Sequence, residues 1–284
     1  MEEIDPTRST DPSFDRRTFV GIAAAAGAAV AGAAKARADL GTTHPPLVAE
    51  DEPSIVVARP MLRRPDREIP AYAAWPKRAT ATTPGVVVTM HIWGVDTSIR
   101  DVVRRYAKLG YVAIAPDLYA RLDVPSGDGA TDVSPFRAAA SQLDPVQYAG
   151  DLRAGALWCS AARPSAKVGI TGFCNGGHRT LEQTVVNADV FAAAAPFYGP
   201  VKGIDPAKVH VPVCGSYGGR DTSIPPADVL AFGNALTVAH DIKIYPEAGH
   251  AFFDDQRASY VASAAEDAWV RTVGFFRSHV GAPA

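Results

Sequence analysis

The stretch VGITGFCNGGHRT, residues 168–180, limits the possible folds of this chain more than any other segment. An apolar run rich in β-branched residues ends in Gly-x-Cys-x-Gly-Gly, and a helical pattern follows. Only a strand, a sharp turn and a helix fit that order, because glycines without a Cβ let strand and helix pass closely. The spacing predicts a strand at KVGITG, the turn at Cys174, and a helix over residues 175–187. Such a unit belongs in a parallel α/β sheet, where reactive groups gather at the carboxyl ends of the strands.

The rest of the chain repeats the theme. SIVVARP, EIPAYAAW, GVVVTMH, YVAIAPD, VFAAAAPFY, VHVPVCGSY and DIKIYPEA read as short strands bounded by Gly, Pro and Asp. Helical patterns cover TSIRDVVRRYAKLG and residues 145–161, 225–238 and 259–279. In the first of these, Ile99, Val102, Val103 and Tyr106 form one apolar face, the arginines and lysine take the other, and Gly110 stops the helix. Two leading strands followed by strands alternating with helices imply a single α/β domain, with a mostly parallel sheet covered on both faces.

With 284 residues, 47% of them hydrophobic, the chain can bury one large core. A net charge of -2, without a basic stripe beyond the N-terminus, argues against a nucleic-acid partner and makes small molecules the expected ligands. Composition sets no oligomeric state.

The N-terminus is a separate object. Arg16 and Arg17 precede a weakly apolar stretch over residues 19–34, then Lys35 and a small-x-small end at Ala36-Arg37-Ala38. This pattern reads as a twin-arginine export signal over residues 1–38, with delivery to a periplasmic or extracellular space. Sixteen Ala- and Gly-rich residues are too short to span roughly 30 Å of hydrocarbon, so no stable membrane insertion is expected after cleavage. Residues 39–53 read as a leader, and residues 54–282 as the folded domain.

Export favours disulfides, yet Cys159, Cys174 and Cys214 are an odd number, so at least one thiol stays free or pairs between chains. Cys159 and Cys214 lie in apolar helix-like and strand-like runs, which also leaves room for a bond between them. Cys174 differs, because a helix N-terminus beside it stabilises a thiolate. A reactive cysteine needs an imidazole to exchange its proton and an acid to orient the imidazole, in the chain order nucleophile, acid, histidine. Asp221 in GSYGGRDTSIP and His250 in YPEAGHAFFDD both follow strands and complete that order.

GFCNGG, the GGRD loop, EAGHAF and GYVAIAPDLYAR together resemble the dienelactone hydrolase family, or carboxymethylenebutenolidases, across residues 54–280. The resemblance implies an α/β-hydrolase fold and cofactor-free hydrolysis of lactones or related esters. Cys174 would attack the carbonyl, His250 would carry the proton and Asp221 would hold His250. The oxyanion would meet the backbone N–H groups of Asn175 and Ile92.

Two departures bear on the substrate. His91 stands where the family has a glutamate beside the nucleophile, and a charged imidazole would stabilise a thiolate there. His250 is followed by Asp254 where a substrate-gripping arginine is expected, and Arg137 and Arg257 are only approximate substitutes. A substrate less anionic than dienelactone, contacted by Trp93, Phe252 and Phe253, is therefore expected. His178 is expected to face helix packing and Asp117 to fix a loop, while His44, His210, His240 and His279 lack ligand spacing, so no metal is expected. A thiol redox protein or a non-catalytic binding protein on the same scaffold is the alternative.

Overall fold

The computed structural model describes residues 45–161, 163 and 165–282; the expected export signal and the first part of the expected leader lie outside them. The strands are β1 (Ile55–Ala58), β2 (Met61–Arg63), β3 (Glu68–Pro76), β4 (Gly85–Thr89), β5 (Val112–Pro116), β6 (Val168–Phe173), β7 (Ala193–Phe197), β8 (Val213–Gly218) and β9 (His240–Tyr245). Among the described residues six α-helices accompany them: α1 (Thr97–Lys108), α2 (Ser134–Ala140), α3 (Pro145–Ser160), α4 (Asn175–Val186), α5 (Pro226–Ala235) and α6 (Ala262–His279). Across the sheet the order is β1-β3-β5-β4-β6-β7-β8-β9, with β2 paired to β3. Pairings from β5 to β9 are parallel, and β3 runs antiparallel to β1 and β5. The expected single-domain α/β architecture is what forms.

The faces follow from the register. Gly85 and Val168 are partners, and a Cβ at Gly85 would touch Cys159 of α3; the next pair, Val86 and Gly169, points the other way, where Gly169 faces Phe276 of α6. Hence α3 lies on one side of the sheet and α6 on the other. Helix α1 joins α6, with Tyr106 packed on Trp269 at 4.7 Å, while α4 joins α3 through a bond from Asn187 Nδ2 to the Ala149 carbonyl. Because β4 to β8 are buried along their whole lengths, they read as continuous apolar runs.

Helix α1 departs from its expected pattern. Its apolar stripe is buried as anticipated, but Arg104 is also buried, donating to the Val48 carbonyl at 2.6 Å and to the Tyr72 hydroxyl at 2.7 Å. Asp101, fully enclosed, accepts the Leu47 and Val48 N–H groups at 2.9 and 2.8 Å and binds Arg105. The described end of the leader is thus packed against the domain, because polar groups of α1 satisfy its backbone.

Candidate active site

Strand β6 delivers Cys174 to the first turn of α4 with φ 55° and ψ −123°. That conformation is costly for a residue with a Cβ, and it stands here because the surroundings leave no alternative. A Cβ at Gly172 would strike the Gly176 carbonyl, and one at Gly176 would meet the carbonyls of Thr89 and Met90. The glycines therefore allow strand and helix to close on the turn. Among the described residues, the other non-glycine positive φ values are at Tyr198 and Ala251, both beside His250. Backbone strain is concentrated around one point.

His250 lies in the loop after β9, and Asp221 follows β8. Asp221 Oδ2 accepts a hydrogen bond from His250 Nδ1 at 2.7 Å, and its Oδ1 accepts the N–H groups of Ser223 and Ile224 at 2.9 and 3.2 Å. Burial opposes the Asp221 charge, but these donors outweigh it and hold the carboxyl below the usual range. The Cys174 side chain and the His250 ring are close enough to shift one another's ionisation. Burial pushes the thiol up, yet His250, the Asn175 N–H and the charge of His91 bring it down overall. For His250, burial disfavours the imidazolium, and Asp221 and Cys174 reverse that, raising its pKa. Cys174, His250 and Asp221 are thus brought together from three loops, and each shift favours the charged form of its group.

Beside Cys174, His91 is buried after β4. Its Nε2 is 2.8 Å from Asp96 Oδ1, and its Nδ1 is 3.9 Å from Asp254 Oδ2. Burial works against its charge, but the carboxylates prevail and raise its pKa. Asp254 is not turned toward a ligand as the sequence suggested. It is buried, accepts from Ser98 Oγ at 3.2 Å, and lies 3.5 Å from Arg257 Nε. Arg257 in turn covers the Trp93 ring at 3.9 Å.

Ile92 occupies the tight turn after His91, closed by a Gly94 N–H to His91 carbonyl bond of 3.2 Å. The Tyr119 hydroxyl donates to the Ile92 carbonyl at 2.8 Å and so orients that turn. Tyr119 belongs to the PDLYAR segment, and Asp117, as expected, fixes the local loop by accepting the Tyr119 N–H at 2.9 Å. A cavity of about 280 Å³ adjoins the turn, lined by Trp93, Asp117, Tyr119, Leu122 and Val124 among others. Trp93 forms part of its wall.

Phe252 and Phe253 do not. Phe252 is fully enclosed between Tyr198 and Tyr245, and Phe253 stacks on Phe173 at 5.1 Å, so both serve the core. Arg137 is exposed on α2, whose Phe136 turns inward against Trp93. His178 Nδ1 bonds the Pro200 carbonyl at 2.6 Å. All three cysteines are free; Cys159 and Cys214 are buried, which pushes their thiols up to about 12 and about 11. Among the described residues no group of three His, Cys, Asp or Glu side chains is placed to hold a metal, and no helix is long and apolar enough to cross a membrane.

Sequence reasoning missed Tyr119, Tyr198 and Asp96. Tyr198 sets its ring edge-on to His250 at 5.2 Å, and Asp96 both caps α1 and holds His91. A capping aspartate one turn after a buried histidine was the only signal available.

Residues 69–280 match the dienelactone hydrolase family. The chain belongs to that family. It is accordingly a carboxylic ester or lactone hydrolase of the α/β-hydrolase fold. Among its relatives, a Yersinia pestis protein named "Putative carboxymethylenebutenolidase" is 39% identical over 231 residues, covering 75% of this chain and 84% of that one. A protein of the same name from Escherichia coli (strain K12) is 38% identical over 228 residues, covering 75% and 83%. The crystal structure of "Putative Dienelactone Hydrolase" from Klebsiella pneumoniae subsp. pneumoniae superimposes with a TM-score of 0.73 at 33% identity, covering 79% of this chain and 99% of that one.

Proposed function

We propose that this dienelactone hydrolase family member cleaves a carboxylic ester or lactone through Cys174, His250 and Asp221. The observation that carries the reading is His250, bonded on one side to Asp221 at 2.7 Å and electrostatically coupled on the other to a cysteine at a strained elbow. The Cys174 thiolate attacks the acyl carbon and forms the C–S bond. As the C–O bond breaks, imidazolium His250 gives its proton to the leaving alkoxide. Neutral His250 then takes a proton from water; hydroxide attacks the thioester, the C–S bond breaks, and the acid product leaves thiolate and imidazolium restored. The N–H groups of Asn175 and Ile92 receive the oxyanion.

Two observations favour hydrolysis over thiol redox chemistry and over binding alone. Cys159 and Cys214 are buried with raised pKa values and make poor resolving thiols. Strain held at Cys174, Tyr198 and Ala251 is characteristic of a site built to react. The substrate carries less negative charge than dienelactone, because Asp117 lines the neighbouring cavity, Arg257 is engaged with Asp254, and Arg137 is exposed on α2.

Purified protein on a panel of neutral and carboxylate-bearing p-nitrophenyl esters and lactones tests this. Turnover should favour the neutral members and disappear in Cys174→Ala; turnover that survives the substitution sinks the mechanism. Arg16, Arg17 and the Ala36-Arg37-Ala38 end further support export by the twin-arginine route. N-terminal sequencing of the exported protein should begin at Asp39.

A further inference from the structure

His250 is not the only imidazole at the nucleophile, and the second is held differently. The His91 side chain is 8% exposed, against 35% for His250, and both its ring nitrogens face carboxylates. A neutral imidazole offers one N–H and one lone pair, so one of those carboxylates would face a lone pair; only the doubly protonated ring presents a donor to each. The carboxylates cannot easily turn away. Asp96 Oδ1 also accepts the Ile99 N–H at 3.1 Å as the cap of α1, and Asp254 Oδ1 accepts the Gln256 N–H at 3.1 Å.

Charge balance points the same way. Arg257 Nε lies 3.5 Å from Asp254 Oδ2, and its Nη2 lies 3.9 Å from Asp96 Oδ2. Burial and the Asp96 charge push the Asp254 carboxyl up, while the charges of His91 and Arg257 act against that, so a charged His91 is what allows both carboxylates to stay ionised; without it a buried negative charge would be left in excess of Arg257, which is strongly unfavourable. The other titratable groups facing this cluster are Cys174 from the elbow and Tyr198 from the end of β7, whose phenol burial keeps neutral.

We propose that His91, clamped by Asp96 and Asp254, is a positioning residue carrying a fixed positive charge beside Cys174. It does not exchange protons during turnover, and that task stays with the half-exposed His250. The charge holds the nucleophile as a thiolate before substrate binds, and it stabilises the sulfur again when the C–S bond of the thioester breaks. Asp254 is thus an internal counter-ion of the site and not a group that selects substrate charge. The inference rests on the hydrolytic reading for its catalytic consequence, while the charge state of His91 stands independently.

The test is the pH profile of Cys174 alkylation by iodoacetamide in the full chain, read by mass spectrometry, together with ¹⁵N NMR of the histidine rings. The wild type should show a midpoint below the ordinary thiol value of ~8.5, with His91 doubly protonated at neutral pH. His91→Gln should raise the midpoint by about one pH unit, a roughly ten-fold slower alkylation at pH below both midpoints. His91→Glu should raise it further, His91→Lys should restore it, and Asp254→Asn should give a smaller upward shift. In turnover, the acid limb of kcat/KM should move upward in His91→Gln by the same amount. A neutral His91 ring at pH 7, or a profile unchanged in His91→Gln, overturns the proposal. Should His91→Gln fail to fold, the wild-type NMR signature decides. Alkylation needs no turnover, so hydrolysis that persists in Cys174→Ala would remove the mechanism and leave this result standing.

Discussion

Replacing Asp221 with asparagine isolates what the acid does, because the structure dictates how the new side chain must sit. Asp221 Oδ1 accepts two backbone N–H groups, from Ser223 and Ile224, and Oδ2 faces His250 Nδ1. In Asp221→Asn the amide oxygen has to keep the first position, since an NH₂ there would meet two donors. The NH₂ group is therefore aimed at His250 Nδ1. That nitrogen must become the acceptor, the proton moves to Nε2, and an imidazolium, with donors at both nitrogens, is disfavoured. The thiolate–imidazolium pair then collapses to thiol and neutral imidazole. A wrong tautomer of this kind costs about 10⁴-fold in kcat, or roughly 5 kcal/mol of barrier. Because both backbone bonds survive, the stability lost at neutral pH should be only the part that the Asp221 charge contributes. The acid limb should flatten: a depressed carboxyl pKa contributes stability above its unfolded value near ~3.9 and loses it as pH falls through the folded value, and the amide lacks this term. Steady-state ester hydrolysis and the alkylation profile of Cys174 are the assays. A variant within ten-fold of wild-type kcat, with an unchanged alkylation profile, would refute the assignment of Asp221.

Further substitutions test the scaffold around the site. Tyr119→Phe removes the hydroxyl that fixes the Ile92 turn at 2.8 Å; a net loss near 1 kcal/mol predicts about five-fold lower kcat with KM little changed. Asp101→Ala strands the N–H groups of Leu47 and Val48 and leaves the Arg105 guanidinium with Asp255 alone, and urea unfolding should show a loss of about 2–4 kcal/mol. Gly176→Ala places a Cβ 2.5 Å from the Thr89 carbonyl oxygen, which is unyielding backbone; the expected cost, by the same urea measurement, is at the upper end of about 1–3 kcal/mol.

Much of this protein was legible along the chain because its decisive signals are local. Eight strands were readable from apolar runs and their Gly and Pro boundaries. The elbow was readable because only glycine tolerates the approach of β6 to α4. The order Cys174, Asp221, His250 was readable because each follows a strand. Two elements escaped: β2 has three residues and α2 has seven, too few for either period to show. The arginines of α1 were misread for a related reason, since amphipathic periodicity cannot register that Arg104 and Arg105 meet a distant leader and loop.

Sequence by itself determined the layered α/β fold, the position of the thiol, and the identity of its prospective partners, since strand period, turn chemistry and chain order are properties of neighbouring residues. Only the tertiary structure decided where the loop side chains turn. The left-handed backbone at Ala251 separates His250, which reaches Cys174, from Phe252 and Phe253, which pass into the core. It also decided that Asp254 faces His91 and Arg257, so that a charge that seemed meant for a ligand is balanced inside the protein. Side-chain direction in a loop depends on backbone dihedrals and on contacts across the sheet, and neither is written in any short stretch of residues.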